Sequence, residues 1–182
     1  LAKKWNLPTA NKPDSQGVCF IGEINVAEFL KEQLGKKSGP IKTFDGKTIG
    51  THDGAAFYTI GQRRGIGIKG SLPGEQGKVY YIASKNLKTN TLFVAEAENE
   101  TLFGSELTVR DFNWILGKTP KLPLKCLARI RYRQPLQKGI IEKVVGSKLF
   151  VAFSEPQRAV TPGQSVVFYN NIGTMLGGGV IM

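Results

Sequence analysis

From about Thr101 to the end of the chain, short runs of alternating apolar and polar residues follow one another at close spacing. They are Leu107–Trp114, Leu124–Tyr132, Gly139–Val145, Lys148–Phe153, Gln164–Tyr169 and Met175–Ile181. Pro120, Pro123, Pro135, Gly146, Pro156, Pro162 and Gly173 punctuate them. Proline removes a backbone donor and fixes φ, so such spacing breaks helices and favours short strands joined by turns. A series of short strands must also hide its edges, which points to a closed barrel or a sandwich. The expected fold class is therefore mainly β, with an antiparallel β-barrel over residues 99–182.

Upstream of a soft boundary near Glu98, the pattern is mixed. Asn25 can cap a short helix over Val26–Leu34, with Val26, Phe29, Leu30 and Leu34 on one face and Gly35 as its stop. Ile41–Phe44 and Lys47–Gly50 flank Asp45-Gly46, a two-residue hairpin signal. Val79–Ile82 and Thr91–Val94 read as two further strands around a polar turn near Lys88-Thr89-Asn90. Residues 25–98 thus read as a small α+β central or connecting domain. Residues 1–24 read as a connector, because Leu1–Pro8 has the look of a helix tail stopped by its proline. The chain is expected to be the later part of a longer protein.

Charge narrows the partners. Lys and Arg number 25 against 14 Asp and Glu, a net charge of +11. That excess favours a polyanion, nucleic acid first and an anionic membrane surface second. No basic amphipathic helix supports the membrane option, and no apolar run approaches the roughly 20 residues of a spanning helix. Two cysteines far apart make no disulfide framework, and one histidine, His52, leaves no structural zinc set. Reduced thiols in the cytoplasm are the expectation. His52 sits beside a turn at Asp53-Gly54 and reads as structural.

If Leu124 to Arg133 is one strand, period two places Leu124, Cys126, Ala128 and Ile130 on an apolar face. Arg129, Arg131 and Arg133 fall on the other. Arginines two apart on one face repel unless an anion lies over them, and a phosphate backbone is such an anion. A solvated basic edge explains the pattern equally well. Cys126 then reads as a core thiol. Gly65, Gly67 and Gly70 satisfy G-x-G-x-x-G, but Ser71-Leu72-Pro73-Gly74 follows where a dinucleotide fold needs a helix. Close backbone approach is the better use of those glycines, and Arg63, Arg64 and Lys69 offer a second cationic patch.

The other cysteine, Cys19, lies in Lys12-Pro13-Asp14-Ser15-Gln16-Gly17-Val18-Cys19-Phe20-Ile21-Gly22. A thiol in a short apolar run just after a loop either fills a core or stands at the mouth of a site. Residues alone leave both open.

This segment resembles the region around the second catalytic cysteine of the bacterial tRNA-specific 2-thiouridylases, the MnmA family. Four later stretches match the family in the same order. They are Thr59-Ile60-Gly61-Gln62-Arg63-Arg64-Gly65-Ile66-Gly67, Arg131-Tyr132-Arg133-Gln134, Ala159–Ser165 with Phe168-Tyr169-Asn170, and Leu176–Ile181. The family's N-terminal ATP-pyrophosphatase domain, with its SGGxDS-like phosphate loop and first catalytic cysteine, has no counterpart in this sequence. The resemblance implies a tRNA-uridine 2-sulfurtransferase acting at the wobble position. It implies ATP and Mg2+ bound in that N-terminal domain, and none of either in this chain. It implies a persulfide donor protein, either a cysteine desulfurase or a sulfur relay protein. Cys19 would carry the persulfide sulfur, and the absent first cysteine would release it as sulfide or form a disulfide with Cys19. Arg131, Tyr132 and Gln164 fall on positions that contact tRNA in the family. Arg129, Arg133, Arg63 and Arg64 are further cationic candidates. By itself the chain is expected to be inactive. The rival reading is a non-catalytic RNA-binding β-barrel module in which Cys19 is only core.

Overall fold

The computed structural model describes residues 3–8, 10–11, 32–68 and 77–182. The chain divides into two compact units, Leu1–Lys36 and Lys37–Met182. Only the last turn of the expected Val26–Leu34 helix falls among the described residues, and residues 32–34 are helical. Cys19 and its segment lie outside the described residues.

Among the described residues of the second unit, ten strands follow: β1 Gly39–Thr43, β2 Thr48–His52, β3 Tyr80–Asn86, β4 Thr91–Glu96, β5 Phe103–Trp114, β6 Leu124–Arg129, β7 Gln137–Val145, β8 Lys148–Arg158, β9 Ser165–Tyr169 and β10 Met175–Ile181. The first four form a sheet in the order β2-β1-β4-β3, and the other six close into a barrel in the order β10-β5-β8-β7-β6-β9. Every barrel pairing is antiparallel. In the sheet, β1 runs parallel to β4, while the β1–β2 and β3–β4 pairs are antiparallel. The mainly β class and the terminal barrel expected from the sequence are what the chain adopts.

Alternation sets the inside of the barrel. Cys126 and Ala128 on β6, Leu149 and Val151 on β8, and Val166 and Phe168 on β9 are buried on its inner face. The sheet has its own core around Ile41, Ile49, Ile82, Leu92 and Val94. A smaller cluster of Ala83, Ala95 and Leu102, with Tyr81 against it, lies where β4 hands over to β5.

Several boundaries differ from the sequence expectation, and three of them have a clear physical reason. The β1–β2 link is four residues, Phe44–Lys47, because Gly46 takes the left-handed backbone at φ 89° and donates to Thr43. β8 runs on through Pro156 to Arg158. Its pairing with β7 stops at Phe153, so the proline sits where one side of the strand has no neighbour to lose. The third is β6, which ends at Arg129 and not at Tyr132 or Arg133. Arg133 adopts a left-handed φ of 65°, and the Gln134 amide closes a turn on the Arg131 carbonyl at 3.2 Å. The Gln134 side chain accepts from the Ile130 amide at 3.0 Å, satisfying a group the ladder has abandoned.

Candidate functional site

Because β6 stops early, its arginines do not form one face. Arg129 is the last strand residue, and its guanidinium lies 5.9 Å from the centre of the Tyr169 ring on neighbouring β9. The Arg129 Nε is buried and makes no hydrogen bond among the described residues. Arg133 sits in the turn with its guanidinium 5.4 Å from the Tyr132 ring, and Tyr132 itself is 65% exposed. Arg131 turns the other way. Its Nη2 donates to the Ala159 carbonyl at 3.1 Å and to the Ile60 carbonyl at 3.3 Å. Burial, and after it the nearby Arg158 charge, lowers the Arg131 pKa from its usual value.

On the other side of this corner, Thr161-Pro162-Gly163-Gln164 forms a tight turn. The Gln164 amide donates to Thr161 at 3.2 Å, and Gly163 supplies the required left-handed φ of 86°. The turn is tied to β10 through Gly163 to Ile181 and Ile181 to Gln164, both 2.8 Å. It fixes Gln164 opposite the β6 turn.

These pieces enclose a concavity of about 590 Å³ lined by Arg129, Arg131, Tyr132, Gln164, Ser165 and Tyr169, among others. The tRNA-contact candidates Arg131, Tyr132 and Gln164, together with Arg129, therefore come to one place from two separate turns. Arg133 stands at its edge through Tyr132. Arg63 and Arg64 are exposed on a different loop, braced by Gln62, which accepts from the Thr59 amide at 3.1 Å and donates to the Arg64 carbonyl at 2.9 Å. Ser165 and Tyr169 were not singled out from the sequence. Tyr169 alternates with buried Val166 and Phe168, but only the non-local β6–β9 pairing reveals that it meets Arg129.

The surface combines group types that suit an RNA contact: guanidinium groups for phosphate, one exposed aromatic ring, Tyr132, for a base, and an amide for base edges. Cys126 has no part in it. It is buried in the barrel core, and burial pushes its thiol up to about 11. His52 is structural as expected, its ring held between the Gly54 amide and the Asn90 carbonyl. Gly67 fulfils the close-approach role, since a Cβ there would lie 2.5 Å from the Thr51 carbonyl oxygen.

Residues 27–96 match the family model described as tRNA methyl transferase PRC-barrel domain, and residues 104–181 match the aminomethyltransferase beta-barrel domain. Across all 182 residues the chain is 45% identical to the tRNA-specific 2-thiouridylase MnmA of Geobacillus thermodenitrificans. It is 43% identical over the same length to the proteins of that name from a Marinomonas species and from Cupriavidus pinatubonensis. The chain belongs to the MnmA family. It spans about half the length of the curated relatives it matches, 47%, 46% and 50% of these three. Within the MnmA family it corresponds to the central and C-terminal part.

Proposed function

We propose that this chain is the tRNA-gripping and sulfur-presenting part of a tRNA-uridine 2-sulfurtransferase. The observation that carries the reading is the convergence of Arg129, Tyr132 and Gln164 on one cationic, aromatic-lined concavity in a chain 43–45% identical throughout to tRNA-specific 2-thiouridylases. The barrel over residues 99–182 holds the RNA. The central domain, residues 25–98, joins it to the segment carrying Cys19. Cys19 accepts a sulfane sulfur from a persulfide donor protein and presents it to C2 of the wobble uridine. Loading needs the Cys19 thiolate, which attacks the outer sulfur of the donor persulfide and expels the donor's thiolate, so a lowered thiol pKa is part of the proposal. Breaking the resulting Cys19 persulfide bond falls to the family's first catalytic cysteine, which would end in a disulfide with Cys19.

ATP and Mg2+ come to this reading from the family. Among the described residues no group of three or more His, Cys, Asp or Glu side chains comes together to hold a metal ion. Among the described residues, Gly65 and Gly67 lie in irregular backbone that no strand directly precedes. The described residues do not fit such a site, and no nucleotide-dependent step is assigned to them. Among the described residues, no helix is long and apolar enough to cross a membrane.

The decisive experiment is nucleoside mass spectrometry on tRNA from cells whose only copy of the gene carries Cys19→Ser, with protein level and tRNA binding followed in parallel. Loss of 2-thiouridine with binding retained is the expected result. Unchanged 2-thiouridine would mean that the region grips RNA without carrying sulfur.

A further inference from the structure

Arg131 occupies a position expected to touch RNA, yet its guanidinium is already engaged. Nη2 bridges the carbonyls of Ile60, in the loop after the sheet's first hairpin, and Ala159, at the end of β8 in the barrel. Its Nε is buried and makes no hydrogen bond among the described residues. Gly61 lies directly beneath it. A Cβ at Gly61 would come within 2.8 Å of Arg131 Nη2 and 2.7 Å of the Ala159 Cβ. Gly61 also holds a left-handed φ of 82°, so glycine answers both to the backbone and to the guanidinium and barrel pressing on it.

The loop is pinned from its other side by backbone bonds to β3. Gly61 donates to Ile82 at 2.6 Å, and Ile82 donates to Gln62 at 3.0 Å. Two and three residues beyond Gly61, the same loop displays exposed Arg63 and Arg64. The Ala159 end is equally fixed. Its amide donates to Leu102 at 2.6 Å, and Thr161 Oγ1 donates to its carbonyl at 2.8 Å. Next door, Arg158 lies 4.1 Å from the Tyr81 ring centre, a second barrel-to-sheet contact. A charged donor bridging two carbonyls is stronger than a neutral bond, and a planar fork reaches both acceptors at once.

We infer that Arg131 is a positioning residue whose guanidinium locks the Arg63–Arg64 loop onto the barrel, so that loop and concavity meet the RNA as one cationic surface. The inference deepens the RNA-contact reading and rests on it. In this arrangement Arg131 contributes to binding through Arg63 and Arg64, and not as an independent phosphate ligand.

The test uses the 182-residue chain and an unmodified tRNA transcript, with Arg131→Met, Gly61→Ala and the double change Arg63→Ala/Arg64→Ala. Amide hydrogen exchange comes first and needs no RNA. Arg131→Met should speed exchange at residues 59–68 by roughly tenfold or more while β6–β9 of the barrel stay protected. Unchanged exchange in that loop overturns the clamp. Binding is then measured against salt. The double change should lower the slope of log Kd on log salt by about 1.4, the expectation for two phosphate contacts on single-stranded RNA. Adding it to Arg131→Met should alter binding less than twofold, because the loop is already released. Gly61→Ala, which removes no charge, should reproduce the Arg131→Met loss. Additive effects, with a separate slope decrease of about 0.7 for Arg131→Met, would make Arg131 a phosphate ligand and overturn the proposal. If the unaltered chain fails to bind the transcript, the RNA reading falls, while the exchange result still decides the clamp.

Discussion

The two ring nitrogens of His52 have opposite roles. Nδ1 accepts from the Gly54 amide at 3.0 Å, so Nε2 must carry the proton it shares with the Asn90 carbonyl at 3.1 Å. The imidazole is 3% exposed and packs edge-on to Tyr58, 5.6 Å between ring centres. Burial holds its pKa below the usual histidine value, with the Asn90 carbonyl and the Asp53 charge partly opposing it. Protonation would set a second N–H against the Gly54 amide. The unfolded chain binds the proton more readily, at a pKa of about 6.5. The stability contribution is therefore complete above that value. It declines as pH falls from about 6.5 toward the lower folded value, then levels off. Urea midpoints for the sheet, followed by Tyr58 and Tyr80 fluorescence, should drop between pH 7.5 and pH 5. His52→Gln should flatten that dependence, at a fixed cost of about 1–3 kcal/mol if one of the two partners is left unmet. The structural reading of His52 was legible from its solitude beside a turn. Its partner Asn90 was not, because the turn after β3 and the end of β2 meet only through the β1–β4 pairing.

Among the elements, β10 closes the barrel, and its glycines are the reason it can. A Cβ at Gly178 would lie 2.6 Å from the Val166 carbonyl oxygen, and one at Gly177 would lie 2.2 Å from that of Asn113. Both obstacles are backbone of paired strands, which cannot swing aside as a side chain would. Gly178→Ala should therefore destabilise the chain by about 2 kcal/mol or more, within the range for forced backbone shifts in a packed site. Gly104→Ala is the control, since its nearest neighbour is a Val160 methyl at an ordinary 3.5 Å. Comparing their thermal midpoints checks the argument, and equal losses would remove β10 closure as the cause. The strands themselves were readable, because alternation and proline spacing act locally. β10 was placed at its observed bounds, Met175–Ile181. The end of β6 was not readable. Period two extends smoothly through Arg131 and Arg133, and only the turn fixed by Gln134 breaks it. The three-arginine face was a consequence of extending the strand too far.

For the whole molecule, a net charge of +11 sets a field and leaves open where a polyanion would lie. The fold brings two remote turns together at the β6–β9 corner, with Arg129 against Tyr169 beside Gln164, and that corner is the place proposed for it. If this corner is where RNA docks, affinity must fall linearly in log Kd against log salt. Arg129→Ala must then reduce that slope by about 0.7, one phosphate contact. Tyr132→Ala should instead weaken binding by about 1–3 kcal/mol with the slope unchanged, because stacking releases no counterion. Lys125→Ala is the comparison for diffuse charge, being exposed on the same strand but outside the concavity. If all three variants move the slope alike and leave no stacking loss, the attraction is the general field of a basic protein and the corner has no special part. Competition with anionic vesicles separates the remaining alternative. A site that recognises bases as well as phosphate keeps its RNA against a phosphatidylserine surface, since the stacking and amide contacts have no counterpart there. A surface that responds only to charge density gives the RNA up.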